Sequence, residues 1–482
     1  MPDLELDDIQ GLIARGYPDL KAASYVLLHI DDASLARPWL RGLADQVTAA
    51  PARPSDSALN VALTSAALPK LGLPAETLSL FSNEFIAGMT TPHRRRMLGD
   101  LGPSAPENWL WGGPSTPAAD VLLLLFARDV ASLEQRYSAL SAAFRGVSQI
   151  VKLDSLVDLD GKEHFGFADG MSQPTIDGLS SRKDVPPNTI KPGEFILGYI
   201  NEYDQYTERP LVDHAADPGG LLPPDVLGSG KVDLARNGTY LVLRQLAQDV
   251  RGFWRFVDAA SRDPDGSANP QRRTWLAAKM VGRWPSGAPL TLSPEGDDPR
   301  LSQANDFTYQ YADEYGFGCP IGSHVRRAHP RDSLDPDPGT LNSVNLDKRH
   351  RLLRRGREYG PAIGDVFSDA PPDDAERGLY FVCLAANISR QFEFIQHTWV
   401  NNPKFAGLYD EPDPVVGYHP DGAANFSIPG EPVRQRLSSL PPFITTRGGG
   451  YFFLPGLRAL RYLSTLAAGG VQPGKVSSPV GS

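Results

Sequence analysis

Asp120-Val-Leu-Leu-Leu-Leu-Phe126 is an unbroken apolar run behind a single aspartate. It is too short for a buried helix and fits a strand covered on both faces. The same kind of order lies on either side of it. Upstream, Ser24-Tyr-Val-Leu-Leu-His-Ile30 reads as a strand. Ala33 to Val47 follows with Leu35, Leu40, Leu43 and Val47 on one helical face, and Leu59-Asn-Val-Ala-Leu63 alternates as a second strand. Downstream, Ser132 to Phe144 carries Leu133, Tyr137, Leu140 and Phe144 at helical spacing, and Ser148-Gln-Ile-Val-Lys-Leu153 closes as a strand. Strand–helix–strand, twice over, is the split unit of a ferredoxin-like fold, with an antiparallel sheet and helices on one face.

The second half partly repeats this order. Gly238-Thr-Tyr-Leu-Val-Leu-Arg244 is a strand, and Ala247 to Ala260 is a helix bearing Val250, Phe253, Trp254 and Val257. Leu379 to Ala385 is a strand, Ser389 to Val400 a helix and Tyr451 to Leu454 a final strand. The expectation is an α+β protein of two ferredoxin-like units with antiparallel sheets, facing one another in a dimeric α+β barrel-like arrangement. The units are drawn as 1–215 and 216–482, with the join in the Pro/Gly/Asp-rich segment between Tyr203 and Val232.

Composition narrows the function. The chain has 482 residues, too many for one core, and a net charge of −10, which argues against the basic face that nucleic acid requires. Cys319 and Cys383 are the only cysteines, which excludes a disulfide framework and any CxxC site. No apolar stretch is long enough to span a membrane. The acidic opening, Met1-Pro-Asp-Leu-Glu-Leu-Asp-Asp8, lacks the basic and apolar parts of a secretory signal, so the cytoplasm is the expected compartment. Gly469 to Ser482 is small and polar and is expected to be disordered.

Three stretches carry chemistry. In Gly318-Cys-Pro-Ile-Gly-Ser-His324-Val-Arg-Arg-Ala-His-Pro-Arg331-Asp332, one histidine on a stiff backbone is followed by a crowd of arginines. That pattern suits axial binding of an anionic flat cofactor such as haem, with arginines facing its propionates. On its own it is more often a satisfied histidine beside a solvated basic edge. Gly166-Phe-Ala-Asp169-Gly170-Met-Ser-Gln-Pro174 is either a plain turn or a carboxylate projected into a cavity, able to take and return a proton. Arg351-Leu-Leu-Arg354-Arg355-Gly-Arg-Glu-Tyr359-Gly360 is either a solvated turn or the source of one inward guanidinium. Such a guanidinium would stabilise charge developing on a peroxide oxygen.

These stretches occur in order between Leu6-Asp-Asp-Ile-Gln-Gly11 and Arg390-Gln-Phe-Glu-Phe-Ile-Gln396 with Trp399-Val-Asn-Asn402. In that order the chain resembles the dye-decolourising peroxidases of the larger subfamilies, over nearly its whole length. The family's GxxDG motif is Gly166 to Gly170, and its Arg-x-Gly-x-x-Tyr-Gly pattern is Arg354 to Gly360.

The resemblance implies a haem-dependent peroxidase with haem b held non-covalently, between the units or at the second. His324 would be the proximal iron ligand, Asp169 the distal acid and Arg354, rather than Arg355, the distal arginine. Glu393 would bond the far nitrogen of His324. Arg331 and Arg326 would meet the propionates, with Gly170, Ser172 and Gln173 also at the cofactor. His329 stands where many relatives carry Asn, which places a second histidine near the ligand. Gly356 stands where some carry a distal Asn. Bulky donors would be oxidised through surface radicals on Tyr359, Trp399 or Tyr315. The expected partners are hydrogen peroxide and small organic reductants such as dyes and phenols, with no nucleic acid and no membrane, in a monomer or homodimer. Two rival readings are a haem-binding or iron-handling protein of the same fold, and an interaction protein that has lost haem. Asp169 and Arg354 separate the first rival from an enzyme, because a carrier needs neither.

Overall fold

The computed structural model of the chain describes residues 3–156, 159–180, 188–367 and 375–467; the expectation for Gly469 to Ser482 lies outside them. The run at Asp120 is strand β3 (Val121–Ala127). Val121, Leu123 and Leu125 enter one buried cluster, while Leu122, Leu124 and Phe126 enter another. A strand buried on both faces has no position for a polar alternate, so the run is continuous.

Around it lie β1 (Ala22–Ile30), α1 (Ala33–Ala44), β2 (Ser57–Leu63), α2 (Val130–Ala142) and β4 (Val147–Ser155). They pair antiparallel in the order β2–β3–β1–β4, as the ferredoxin-like reading requires. The helices start where Asp32 and Asp129 accept hydrogen bonds from the Ser34 and Ser132 amides, caps that ordinarily contribute about 1 kcal/mol each.

The second unit contains β5 (Thr239–Gln248), α3 (Val250–Ser261), α4 (Pro270–Val281), α5 (His324–Ala328), β6 (Leu353–Arg354), β7 (Arg357–Tyr359), β8 (Gly378–Ala385), β9 (Ile444–Leu454) and α6 (Leu457–Thr465). The helix expected at Ser389 to Val400 is present, but π-wound over Ser389–Glu393 and Ile395–Val400. The sheet order is β6–β8–β5–β9, with β7 also on β8, so the second unit has the same topology as the first. The sequence reading missed β6 and β7. They are very short and rich in arginine, so they show no apolar alternation.

The units join edge to edge where Phe453 of β9 pairs with Leu63 of β2, giving one sheet of nine strands. The sheet also curls, so its halves face each other: the ring of Tyr25 on β1 lies 5.4 Å from that of Tyr380 on β8, although these strands do not pair. Tyr25, Phe126, Leu243, Tyr380 and Phe452 share this interior. Among the described residues no ladder closes β4 onto β6 or β7, so the curl is not a closed barrel.

The outer face of the first unit is covered through Leu40 of α1, Leu133 of α2 and Leu460 of α6. On the second unit, the outward residues Arg244, Leu246 and Phe381 look instead onto a cavity.

Candidate active site

That cavity has a volume of about 350 Å³. Leu246, Phe381, Phe392, Ile395, Val415 and Val416 form apolar walls, and four sequence-predicted residues, His324, Asp169, Arg354 and Ser172, line it together.

His324 is the first residue of α5. The loop before it is stitched down by backbone donors: the Gly318 and Cys319 amides give hydrogen bonds of 2.9 and 2.6 Å to Asp313, and the Ser323 hydroxyl donates to the Lys279 carbonyl at 2.6 Å. His324 Nδ1 lies 2.9 Å from Asp413 Oδ2. The other oxygen of Asp413 accepts from the Val415 and Val416 amides, both at 2.9 Å. Burial works against charge on Asp413, but the His324 charge and hydrogen bond, with these amides and Arg327, outweigh it and hold the carboxyl below its usual range. Burial likewise opposes a proton on His324, and Asp413 overcomes it, so the imidazole is held above its ordinary value. With Nδ1 engaged by a carboxylate, Nε2 is left for the cavity.

Arg327, fully buried, fixes this arrangement from behind. Its guanidinium donates to the carbonyls of Trp399 (2.6 Å), Asn402 (3.1 Å) and Glu411, tying α5 to the segment that carries Asp413.

On the same cavity, Asp169 sits between Gly166 and Gly170, whose φ values of +94° and +93° favour glycine. Arg354 Nη1 reaches both oxygens of Asp169, at 2.8 and 3.0 Å, and the Gly170 amide donates to Oδ1 at 2.6 Å. Burial raises the carboxyl, but the Arg354 charge and these bonds prevail and hold it below the usual range. Gln173 accepts from the Arg354 amide at 3.0 Å, and so positions the arginine rather than facing the cavity itself. Arg355 turns away to the carbonyls of Leu12 and Ile13 (2.7 and 2.8 Å).

Several expectations need correction. Glu393 does not reach His324: it is held by Arg94 and by the Tyr451 hydroxyl (2.8 Å), and Asp413 occupies the role instead. Arg326 is spent on the Asp313 and Cys319 carbonyls (2.9 and 2.8 Å) and does not line the cavity. Arg331 bonds Asn305 and the Phe307 carbonyl and lies over the Phe307 ring, again off the cavity. The basic end is made instead by Arg283 and Arg351, with Ser172 and His329 beside them. Ser172 binds both arginines, through its hydroxyl to Arg283 (3.2 Å) and its carbonyl to Arg351 (3.2 Å). His329 bonds Asp347 at 3.0 Å; burial, aided by Arg351, depresses it to about 3, so this histidine is neutral. Its neighbours are the basic end, whereas those of His324 include Asp169 and Arg354, which separates the two histidines.

The three proposed surface aromatics also divide. Tyr315 is 66% exposed, but Tyr359 and Trp399 are both 5% exposed; neither is at the surface. Trp399 is packed against His350 and Phe394, and Tyr359 lies in the sheet interior.

The sequence reading missed Asp413, Arg283 and Glu163. Glu163 lines the cavity, accepts from the Phe165 and Phe167 amides (2.9 and 3.0 Å), and is lifted to about 7 chiefly by burial. An acid set between two prolines, Pro412-Asp413-Pro414, is the one local signal by which Asp413 could have been found.

The residues present fit a haem. One imidazole with a carboxylate behind it, apolar walls and a basic end match an iron macrocycle with anionic arms.

No protein-family model matches the chain. Peroxidase 2 of Mycetinis scorodonius is 32% identical, over 95% of this chain and 87% of that protein. The multifunctional dye peroxidase DyP2 of Amycolatopsis sp. is 30% identical, over 95% of this chain and 96% of that protein. The crystal structure of AauDyP in complex with imidazole superposes with a TM-score of 0.80 at 26% identity, over 96% of this chain and all of that one. A histidine paired with a carboxylate, on one cavity with an aspartate–arginine pair, thus stands in a chain with these relatives, and the chain belongs to the dye-decolourising peroxidase family.

Proposed function

We propose that this enzyme reduces hydrogen peroxide and oxidises dyes and phenols with haem b bound non-covalently, a group that His324 would hold through Nε2. The observation that carries the reading is the placement of His324–Asp413 and Asp169–Arg354 on one cavity. A bound haem supplies an iron that peroxide oxidises and that one-electron donors return to rest.

The chain's own residues do the rest. Asp413 keeps a proton on His324 Nδ1, fixes the ring's orientation and makes Nε2 a stronger donor. Asp169, held ionised, takes the proton from one peroxide oxygen and returns it to the other. Arg354 bears a fixed charge beside that carboxylate and stabilises the anionic oxygen as the O–O bond opens. Arg283 and Arg351 neutralise anionic arms at the basic end. Leu246, Phe381 and Ile395 keep the site apolar, which strengthens each of these interactions. A haem carrier would have no use for the Asp169–Arg354 pair.

The test is haem reconstitution followed by rapid mixing with peroxide. The expected result is a Soret band on loading and its rapid conversion on mixing. A band that stays ferric or only bleaches overturns the reading.

A further inference from the structure

Asp169 and Glu163 stand on one small hairpin. Lys162 and Ala168 form an antiparallel bridge, the Glu163 amide donates to the Phe167 carbonyl at 3.0 Å, and the Asp169 amide donates to the Gly161 carbonyl at 3.1 Å. Glu163 is thus opposite Phe167 and diagonal to Asp169. Residues so placed share a face, with backbones roughly 7–8 Å apart. All three line the cavity. Glu163 Oε2 accepts from the Phe165 amide at 2.9 Å and from Gln248 Nε2 at 2.7 Å, and Oε1 accepts from the Phe167 amide at 3.0 Å. Gln248, at the end of β5, also lines the cavity, and its Oε1 is buried with no partner among the described residues. Trp254 of α3, a neutral group, bonds the Phe165 carbonyl at 3.2 Å. Asp169 is the charged group that bears on Glu163, and Arg354 and His324 bear in turn on Asp169.

Reduction of one peroxide to two waters consumes two electrons and two protons. Asp169 moves a proton already on the peroxide from one oxygen to the other, and so supplies neither of the two. A phenol inside the cavity brings its own protons. A donor that gives only electrons from outside does not. We infer that Glu163 is the acid through which solvent protons enter the cavity, acting through Asp169 as a positioning residue for the proton, with Gln248 as its partner in both charge states. This rests on the peroxidase reading, because peroxide reduction is what consumes the protons. In each transfer the Glu163 O–H bond breaks, and the proton passes through one intervening water to the Asp169 carboxylate and on to the oxygen being reduced. Glu163 then takes a new proton from solvent at the hairpin, where Gly161 and Lys162 are exposed. Burial, to which the Asp169 charge adds, lifts Glu163 to about 7, so its acid and base forms are both populated near neutrality. When ionised, the carboxylate accepts from Gln248 Nε2. When it is protonated, a half-turn of the amide lets Oε1 accept the acid proton, which accounts for an amide oxygen otherwise buried without a bond.

Infrared spectroscopy of the unloaded chain reads the proton directly. The expected result is a carboxylic acid C=O band that is lost as pH rises through about 7 and is missing from Glu163→Gln. On haem-loaded protein after peroxide, rapid mixing compares ferrocyanide, which gives electrons alone, with hydroquinone, which brings protons. The ratio of the two rates of return to rest is expected to fall about a hundredfold in Glu163→Gln, and to lose its decline with rising pH. Gln248→Met keeps Glu163 but removes a bond that favours its charged form, so the infrared band and the ferrocyanide profile must move together to higher pH. An unchanged ratio in Glu163→Gln, a band that persists there, or a Gln248→Met profile that stays in place overturns the inference. If peroxide leaves the Soret band unchanged, the peroxidase reading fails, while the infrared arm still decides whether Glu163 holds the proton.

Discussion

Asp413→Asn replaces one oxygen by nitrogen and reverses the hydrogen bonding of His324. The native carboxylate accepts from three donors: His324 Nδ1, Val415 N and Val416 N, each at 2.9 Å. An asparagine has one acceptor oxygen. Facing the two valine amides, it keeps both of those bonds and turns its NH₂ toward His324. Facing the histidine, it abandons two buried amides, at about 1–3 kcal/mol each. The first orientation is therefore favoured, and the imidazole must present an acceptor at Nδ1. Its proton moves to Nε2, the nitrogen that would ligate iron. Haem affinity is expected to fall by about 10–100-fold, the range found when carboxylates behind metal-bound histidines are lost. The fold itself is expected to survive, since both amides stay bonded. Haem titration followed at the Soret band, with Tm measured on the same samples, checks both parts. Glu393→Gln is the control, because Glu393 serves Arg94 and Tyr451 and should leave haem affinity unchanged. An Asp413→Asn protein that binds haem like the native chain, or a Glu393→Gln protein that loses it, would refute the assignment.

Arg354→Leu is expected to keep haem while its reaction with peroxide slows by about 10²–10³-fold, as when one preorganised donor to a developing charge is removed; rapid mixing measures it. Glu163 gives a pH signature. Burial lifts its folded pKa to about 7, above an unfolded value of about 4.3, so the folded chain holds the extra proton between those values. Stability therefore falls as pH rises through that window, and Glu163→Gln should flatten the fall. Parallel Tm profiles for the two proteins would sink this prediction. Arg326→Leu should leave haem affinity alone while lowering Tm, because it strips donors from the Asp313 and Cys319 carbonyls. Gly378→Ala places a methyl against the Leu246 carbonyl across the β8–β5 pair, and should destabilise the fold by about 1–3 kcal/mol or more in denaturant titration.

What the sequence disclosed and what it hid follow from one distinction. Periodicity reports burial, so β3, with both faces covered, was legible from its own residues. Strands β6 and β7 were not, since two or three residues cannot show a period. Residue type reports what a side chain is able to do, but not which partner claims it. The run from Arg351 to Arg357 makes the point. Arg351 and Arg354 face the cavity, Arg355 is taken by the carbonyls of Leu12 and Ile13, and Arg357 by those of Gly16 and Tyr17. The claimants of the last two lie more than three hundred residues away in the chain, and no spacing rule reaches that far. Glu393 failed for the same reason. It lies on the helical run expected at Ser389 to Val400, yet Arg94, 299 residues earlier in the chain, takes its carboxylate. Asp413 is free to serve His324 because Arg327 holds its segment against α5. Selection of the carboxylate that pairs with His324 is thus a contest among arginines, and only the folded chain decides it.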